Sequence, residues 1–201
     1  MDLWQYARQA REEGAAVVCG CDEAGAGPLA GPVYAAAVIL PFGEEIPGLN
    51  DSKKLTEKKR EALCPLIRQR ALAWSVARVE AEEIDQTDIL SARMKAMQLA
   101  MDGLSLAPDL ALIDGNRDRG KSFAIGTPHR CIVKGDSLSA SIAAASVLAK
   151  VSRDRYMEEM SLRYPQYGFD QHKGYGTKRH YECLAAWGPC PIHRLTFLKK
   201  R

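Results

Sequence analysis

A chain of 201 residues has room for one ordinary domain, and area scaling gives it a folded surface of about 9,300 Å² against about 32,000 Å² unfolded. A core of that size holds without disulfides or structural metal, and 46% hydrophobic with 26% charged residues excludes disorder, collagen and coiled coil as the main body. The net charge of +3 is unevenly spread: residues 171–201 carry seven Lys/Arg and one acid, netting +6, while the rest nets −3. A basic segment on an acidic chain is the footprint of a polyanionic partner.

Met1–Gly14 mixes charged and polar residues with no apolar stretch, so it reads as no secretory leader. Val17–Asp22 is a short apolar run ending in a carboxylate, followed by the turn-rich Gly25–Pro32 and a second strand candidate, Val33–Leu40. The longest apolar run, Val33–Phe42, is too short to span a bilayer. A helix is expected from Ser52 to about Arg70, with Leu55, Leu63 and Ile67 on one side. Ala73–Val79 alternates as a strand does. Ala81–Leu104 carries Ile84, Ile89, Met94, Met97 and Met101 at helical spacing, which predicts a buried helix face. Leu110–Asp114 and Cys131–Val133 are further strand candidates, each with an acid at or just beyond its end. A long helix is then expected from about Leu138 to Arg163. Its first half is so small (Ser139–Ser146) that it can lie close against a sheet. Strands first, then strands alternating with helices, predict an α/β fold with a mixed sheet. No repeat or linker divides the chain, so a single domain over 1–201 is expected.

Six cysteines, at 19, 21, 64, 131, 183 and 190, lack a CxxC pair and are expected as free, buried or half-buried thiols of a cytoplasmic protein.

The acids at strand ends carry the functional signal. Asp22 and Glu23 close one strand and Asp114 another. Buried carboxylates need a partner or a cation, and an all-oxygen set favours Mg²⁺ or Mn²⁺ over zinc. The bland alternative, turn residues or caps, stays open at this point. In a regular strand Asp22 and Glu23 point to opposite faces, so both serve one site only if the strand ends or kinks near Ala24-Gly25. Asp136 and Asp154 compete for a fourth place. They lie about 27 Å apart along the helix axis, and a two-metal site spans about 4 Å. Both cannot belong. Asp154, four residues after Lys150, reads as a surface ion pair, whereas a loop through Lys134-Gly135 can aim Asp136.

These residues resemble a known family. The matching stretches are Asp22-Glu23-Ala24-Gly25-Ala26-Gly27-Pro28 through Val33, Asn50-Asp51-Ser52-Lys53-Lys54-Leu55, Ile113-Asp114-Gly115-Asn116 and Val133-Lys134-Gly135-Asp136. Ser141–Asp154, His172-Lys173-Gly174-Tyr175 and Pro191-Ile192-His193-Arg194 complete the set. In this order, over about residues 15–198, they are similar to bacterial ribonuclease HII. The resemblance implies an RNase H-like fold: a five-stranded mixed sheet flanked by helices, with a helical C-terminal segment. That segment, 165–201, is expected to bind substrate. The implied activity is a divalent-metal endonuclease that cuts the RNA strand of RNA–DNA hybrids. It also incises at ribonucleotides embedded in duplex DNA, leaving 5′-phosphate and 3′-hydroxyl ends.

Carried over by position, the metal-binding acids fall on Asp22, Glu23 and Asp114, with Asp136 as the fourth catalytic acid. The family's usual Gly-Arg-Gly is here Gly25-Ala26-Gly27. It meets the ribose 2′-hydroxyl largely through backbone groups, which Ala26 still supplies. Tyr175 takes the place of the family's junction-sensing tyrosine, and Lys53 and Lys173 are candidate phosphate contacts. The expected form is a monomer with no membrane partner. Two rivals remain: a metal-independent ribonuclease using His172 with His180 or His193, which would ignore EDTA, and a silent binder of hybrids, which would cut nothing.

Overall fold

The computed structural model describes residues 2–49 and 55–199. Among them five strands form one mixed sheet: β1 (Val18–Ala24), β2 (Val33–Ile39), β3 (Ala73–Val79), β4 (Leu110–Asp114) and β5 (His129–Ile132). Their order is β3-β2-β1-β4-β5, with β2 antiparallel to β1 and β3, and β4 parallel to β1 and β5. The helices are α1 (Gln5–Glu12), α2 (Glu57–Arg70), α3 (Ala81–Gln86), α4 (Ile89–Asp102), α5 (Ala140–Arg163), α6 (Phe169–His172), α7 (Lys178–Trp187) and α8 (Leu195–Leu198). This is the mixed α/β sheet with flanking helices and a helical C-terminal segment that the sequence predicts. The accessible surface, 9887 Å², lies close to the scaling value.

Strand alternation divides the interior into two layers. Cys19 and Cys21 of β1, with Ala35 and Ala37 of β2, pack under the Met94, Met97 and Met101 stripe of α4. On the other face, Ala36 and Val38 of β2 meet Ala144, Val147 and Leu148 of α5 together with Leu63 and Ile67 of α2. The small first half of α5 lets it approach β1 at backbone contact. A Cβ on Gly20 would lie 2.2 Å from the Ile142 nitrogen. All six thiols are free, and burial pushes the Cys19 thiol up to about 12, so it stays protonated and apolar.

Several boundaries differ from the sequence reading: β1 runs on past Asp22 to Ala24, and β5 begins at His129 rather than Cys131. The helix expected over Ala81–Leu104 is two helices, because Asp88 leaves helical geometry and caps α4, accepting from the amides of Leu90 and Ser91 at 2.9 and 3.0 Å. The helix expected from Ser52 begins at Glu57, capped by Thr56; Asn50–Lys54, with Lys53, lie outside the described residues. Finally, the mixed N-terminal segment holds a helix, α1, which buries Ala7 and Ala10.

Candidate active site

Parallel strands carry their side chains to a common end, and the register of β1 on β4 pairs Cys21 with Ile113. The next residues, Asp22 and Asp114, therefore stand side by side where β4 ends. Both sit at even positions of the alternation, on the α5 side. The third acid arrives from beyond β5. Lys134, in the left-handed region at φ 59°, reverses the chain into a single 3-10 turn, Gly135–Ser137. The Gly135 amide donates to Asp114 Oδ1 at 2.6 Å, fixing that carboxylate and bringing Asp136 beside it. Asp22, Asp114 and Asp136 each offer a carboxylate oxygen, all within 4.8 Å of one another. Asp22 and Asp136 are both 4% exposed. Two buried carboxylates and a half-buried one at this spacing repel, and a hard divalent cation with oxygen ligands fits the donor set.

Glu23 behaves differently. β1 continues to Ala24 without a kink, so Glu23 falls on the opposite face from Asp22, as the alternation requires. Its Oε1 pairs with Arg93 of α4 at 2.5 Å. Glu23 still lines the cleft that opens past the strand ends, a space of about 200 Å³ shared with Asp22, Asp114, Gly25, Ala26, Gly27, Lys150, Arg153 and Tyr175. Of the acids the resemblance implies, Asp22, Asp114 and Asp136 lie together, and Glu23 lines the same cleft as Asp22 and Asp114.

Asp154 stays out of the site, as its distance along the helix requires, yet it is no surface residue. It is 4% exposed and pairs with Lys150 at 2.7 Å and Arg60 at 3.6 Å. Tyr175 is half exposed, with its ring near Gly27, where an added Cβ would lie 3.7 Å from Cε1. Lys173 is not among the residues that line the cleft, and its Nζ pairs with Glu158 at 2.6 Å.

The Gly25–Pro32 loop is held by two arginines, Arg194 and Arg153, to which the sequence alone assigns no role. Arg194 donates to the carbonyls of Gly25 (2.6 Å), Ala26 (3.0 Å) and Gly31 (2.9 Å). Arg153 donates to Ala30 (3.1 Å), Pro32 (3.2 Å) and Lys173 (3.0 Å). Burial, and then the neighbouring Arg153, pull the Arg194 guanidinium down to about 9, still a cation at neutral pH. Gly25, at φ 96°, has no room for a side chain; a Cβ would lie 2.0 Å from Arg153 Nε.

Three histidines of the basic segment are committed to structure. His180 Nδ1 lies 2.9 Å from the Tyr175 carbonyl and must donate to it. Its Nε2 then accepts from His193 Nε2 at 3.0 Å, which leaves His193 Nδ1 to accept the Cys190 amide at 2.9 Å. His172 stacks on His180 at 4.4 Å. One neutral tautomer for each ring of the relay satisfies these three contacts. Burial, with His180 adjacent, pulls His193 down to about 4. Buried and committed in this way, the pair lacks the freedom that the histidine acid–base alternative needs.

Comparison with known proteins agrees with this geometry. A sequence model described as ribonuclease HII matches residues 19–200. The chain belongs to the ribonuclease HII family. It is 54% identical over 181 residues to the ribonuclease HII of Idiomarina loihiensis, covering 90% of this chain and 95% of that protein. It is 52% identical over 187 residues to that of Caldicellulosiruptor bescii, covering 93% and 89%. The fold matches the ribonuclease H2 of Pyrococcus horikoshii with a TM-score of 0.73 at 26% identity, over 90% of this chain and 93% of that one. As a ribonuclease HII family member the protein is an endonuclease and a hydrolase. No described helix is long and apolar enough to cross a membrane.

Proposed function

We propose that this ribonuclease HII cuts the RNA strand of RNA–DNA hybrids and incises at ribonucleotides embedded in duplex DNA, leaving 5′-phosphate and 3′-hydroxyl ends. The observation that carries this reading is one cleft lined both by Asp22 and Asp114, which cluster with Asp136, and by Gly25–Gly27. Asp22, Asp114 and Asp136 are the groups that would hold Mn²⁺ or Mg²⁺, which when bound supplies positive charge at the phosphate and acidifies water there. Glu23, oriented by Arg93, adds a carboxylate at the cleft wall. Gly25–Gly27 meets the ribose, whose 2′-hydroxyl separates RNA from DNA. Tyr175, with its ring exposed beside Gly27, packs on the sugar that follows. Lys150, at the cleft wall, is a further cation for the phosphate path.

A monomeric cytoplasmic enzyme of one domain completes the proposal, supported by six free thiols and by a sheet whose two faces are both covered. The 165–199 segment supports the loop that carries Gly25–Gly27, which is how it serves substrate binding. The test is incision of a duplex containing one ribonucleotide, with EDTA and after Mn²⁺ or Mg²⁺ add-back, with end mapping. Cutting that survives EDTA, or a cyclic phosphate product, contradicts the metal reading. Binding of hybrid without any cutting contradicts the enzymatic one.

A further inference from the structure

Arg194 does more than fill space under a loop. A trans peptide unit is planar, so the carbonyl of one residue and the amide of the next point in opposite directions. The described peptide bonds are all trans. Arg194 draws two successive carbonyls, those of Gly25 and Ala26, inward onto Nη2 and Nη1 at 2.6 and 3.0 Å. The amides of Ala26 and Gly27 must then face the other way, and both residues line the cleft shared with Asp22 and Asp114. Neither amide donates to a described residue. The third bond, Nε to the Gly31 carbonyl at 2.9 Å, closes the loop on the same guanidinium. A guanidinium is a rigid planar fork with five donors, whereas a lysine ammonium is a point charge on a flexible stem. Only the fork holds two adjacent peptide planes in fixed rotation. Arg153 anchors the far end of the same loop at Ala30 and Pro32.

We propose that Arg194 is a positioning residue for sugar selectivity: by fixing the Gly25 and Ala26 peptide planes it presents the Ala26 and Gly27 amides as a paired donor for the ribose 2′-hydroxyl. This rests on the reading that Gly25–Gly27 meets the ribose. It assigns selectivity to a side chain that never touches substrate, and it accounts for ribose reading with alanine at position 26.

The experiment compares binding, in Ca²⁺ to hold the substrate uncut, of a duplex with one ribonucleotide and an all-DNA duplex of the same sequence. In the wild type the ribonucleotide duplex binds tighter. Arg194→Lys keeps the charge and loses the fork; its preference for the ribonucleotide duplex falls about fivefold or more, the factor carried by one net hydrogen bond. Its affinity for all-DNA duplex stays within about twofold, since phosphate contacts are untouched. Met97→Ala, a cavity in the opposite core layer, lowers the melting temperature and leaves the preference unchanged.

A folded Arg194→Lys with the wild-type preference overturns the proposal while leaving ribose reading by the loop intact. A wild type with no preference removes the underlying reading as well. Should Arg194→Lys not fold, ¹⁵N spectra of the wild type decide. The Ala26 and Gly27 amide resonances shift with the ribonucleotide duplex and not with the all-DNA duplex, and amides that respond equally to both overturn it.

Discussion

A carboxylate that holds a cation and one that holds the fold respond oppositely to losing their charge. Asp22→Asn, Asp114→Asn and Asp136→Asn should each lower kcat by about a hundredfold or more, while the melting temperature stays level or rises as repulsion inside the cluster is relieved. Asp154→Asn should do the reverse. Lys150 and Arg60 lose a buried partner, at a cost of about 2 kcal/mol, discounted from a fully buried pair because Lys150 reaches water. That lowers the melting temperature by roughly 4–8 °C with activity within a few-fold of wild type. Thermal melts and steady-state kinetics on the four variants check this, and an Asp136→Asn enzyme with wild-type turnover would contradict its place in the cluster. The acids were legible because a carboxylate after an apolar run breaks a pattern. Arg93, Arg153 and Arg194 were not, because their partners lie far away in sequence; Arg194 bonds carbonyls 168 and 169 residues earlier.

At the scale of elements, the contact of α5 with β1 sets how far apart the acids stand. Asp22 and Asp114 come from the sheet, and Asp136 enters from the turn just before α5, so the helix-to-sheet distance is also a distance within the cluster. Gly20→Ala tests this. Its Cβ would meet the Ile142 nitrogen and the Ser141 carbonyl carbon, both at 2.2 Å, and backbone cannot step aside as a side-chain tip can. The expected cost is about 3 kcal/mol, with a weaker cation response in the melting curve than wild type shows; an unshifted melt would contradict the close packing. The small residues at the start of α5 made that packing legible. The break between α3 and α4 was not, because the Met stripe continues across it in helical phase. Only the Asp88 cap marks the boundary, and one capping residue is a faint signal beside five periodic apolar ones.

For the whole molecule, pH acts through the histidine relay. His193 sits at about 4 against an ordinary 6.5, and burial lowers His180 as well. The folded state therefore binds fewer protons than the unfolded chain below about pH 6.5, and stability falls as pH drops from there toward 4. Near pH 5 His193 alone accounts for about 2 kcal/mol, or roughly 4–8 °C in melting temperature. This window lies above most carboxylate titration, which lets the histidines be separated from acid denaturation. A melting temperature flat between pH 7 and pH 5 would contradict the neutral relay. Protonating His180 sets two N–H groups face to face across 3.0 Å, protonating His193 sets its Nδ1–H against the Cys190 amide at 2.9 Å, and His180 also carries the Tyr175 carbonyl, so loosening begins beside the cleft. The sheet and its helices were legible from periodicity. The charge of the C-terminal segment pointed to a polyanion, while its structural duty was hidden, since a basic histidine-rich stretch has the same composition whether it faces solvent or packs inside.

The distance in sequence between Arg194 and the loop it holds also orders events during synthesis. The ribosome delivers Asp22, Asp114 and Asp136 well before Arg194, so a growing chain can assemble its acidic cluster while the Gly25 and Ala26 carbonyls still lack their anchor. Arg194 follows all three acids in the chain, so the loop that it holds takes its final shape only after the cluster's residues have been made.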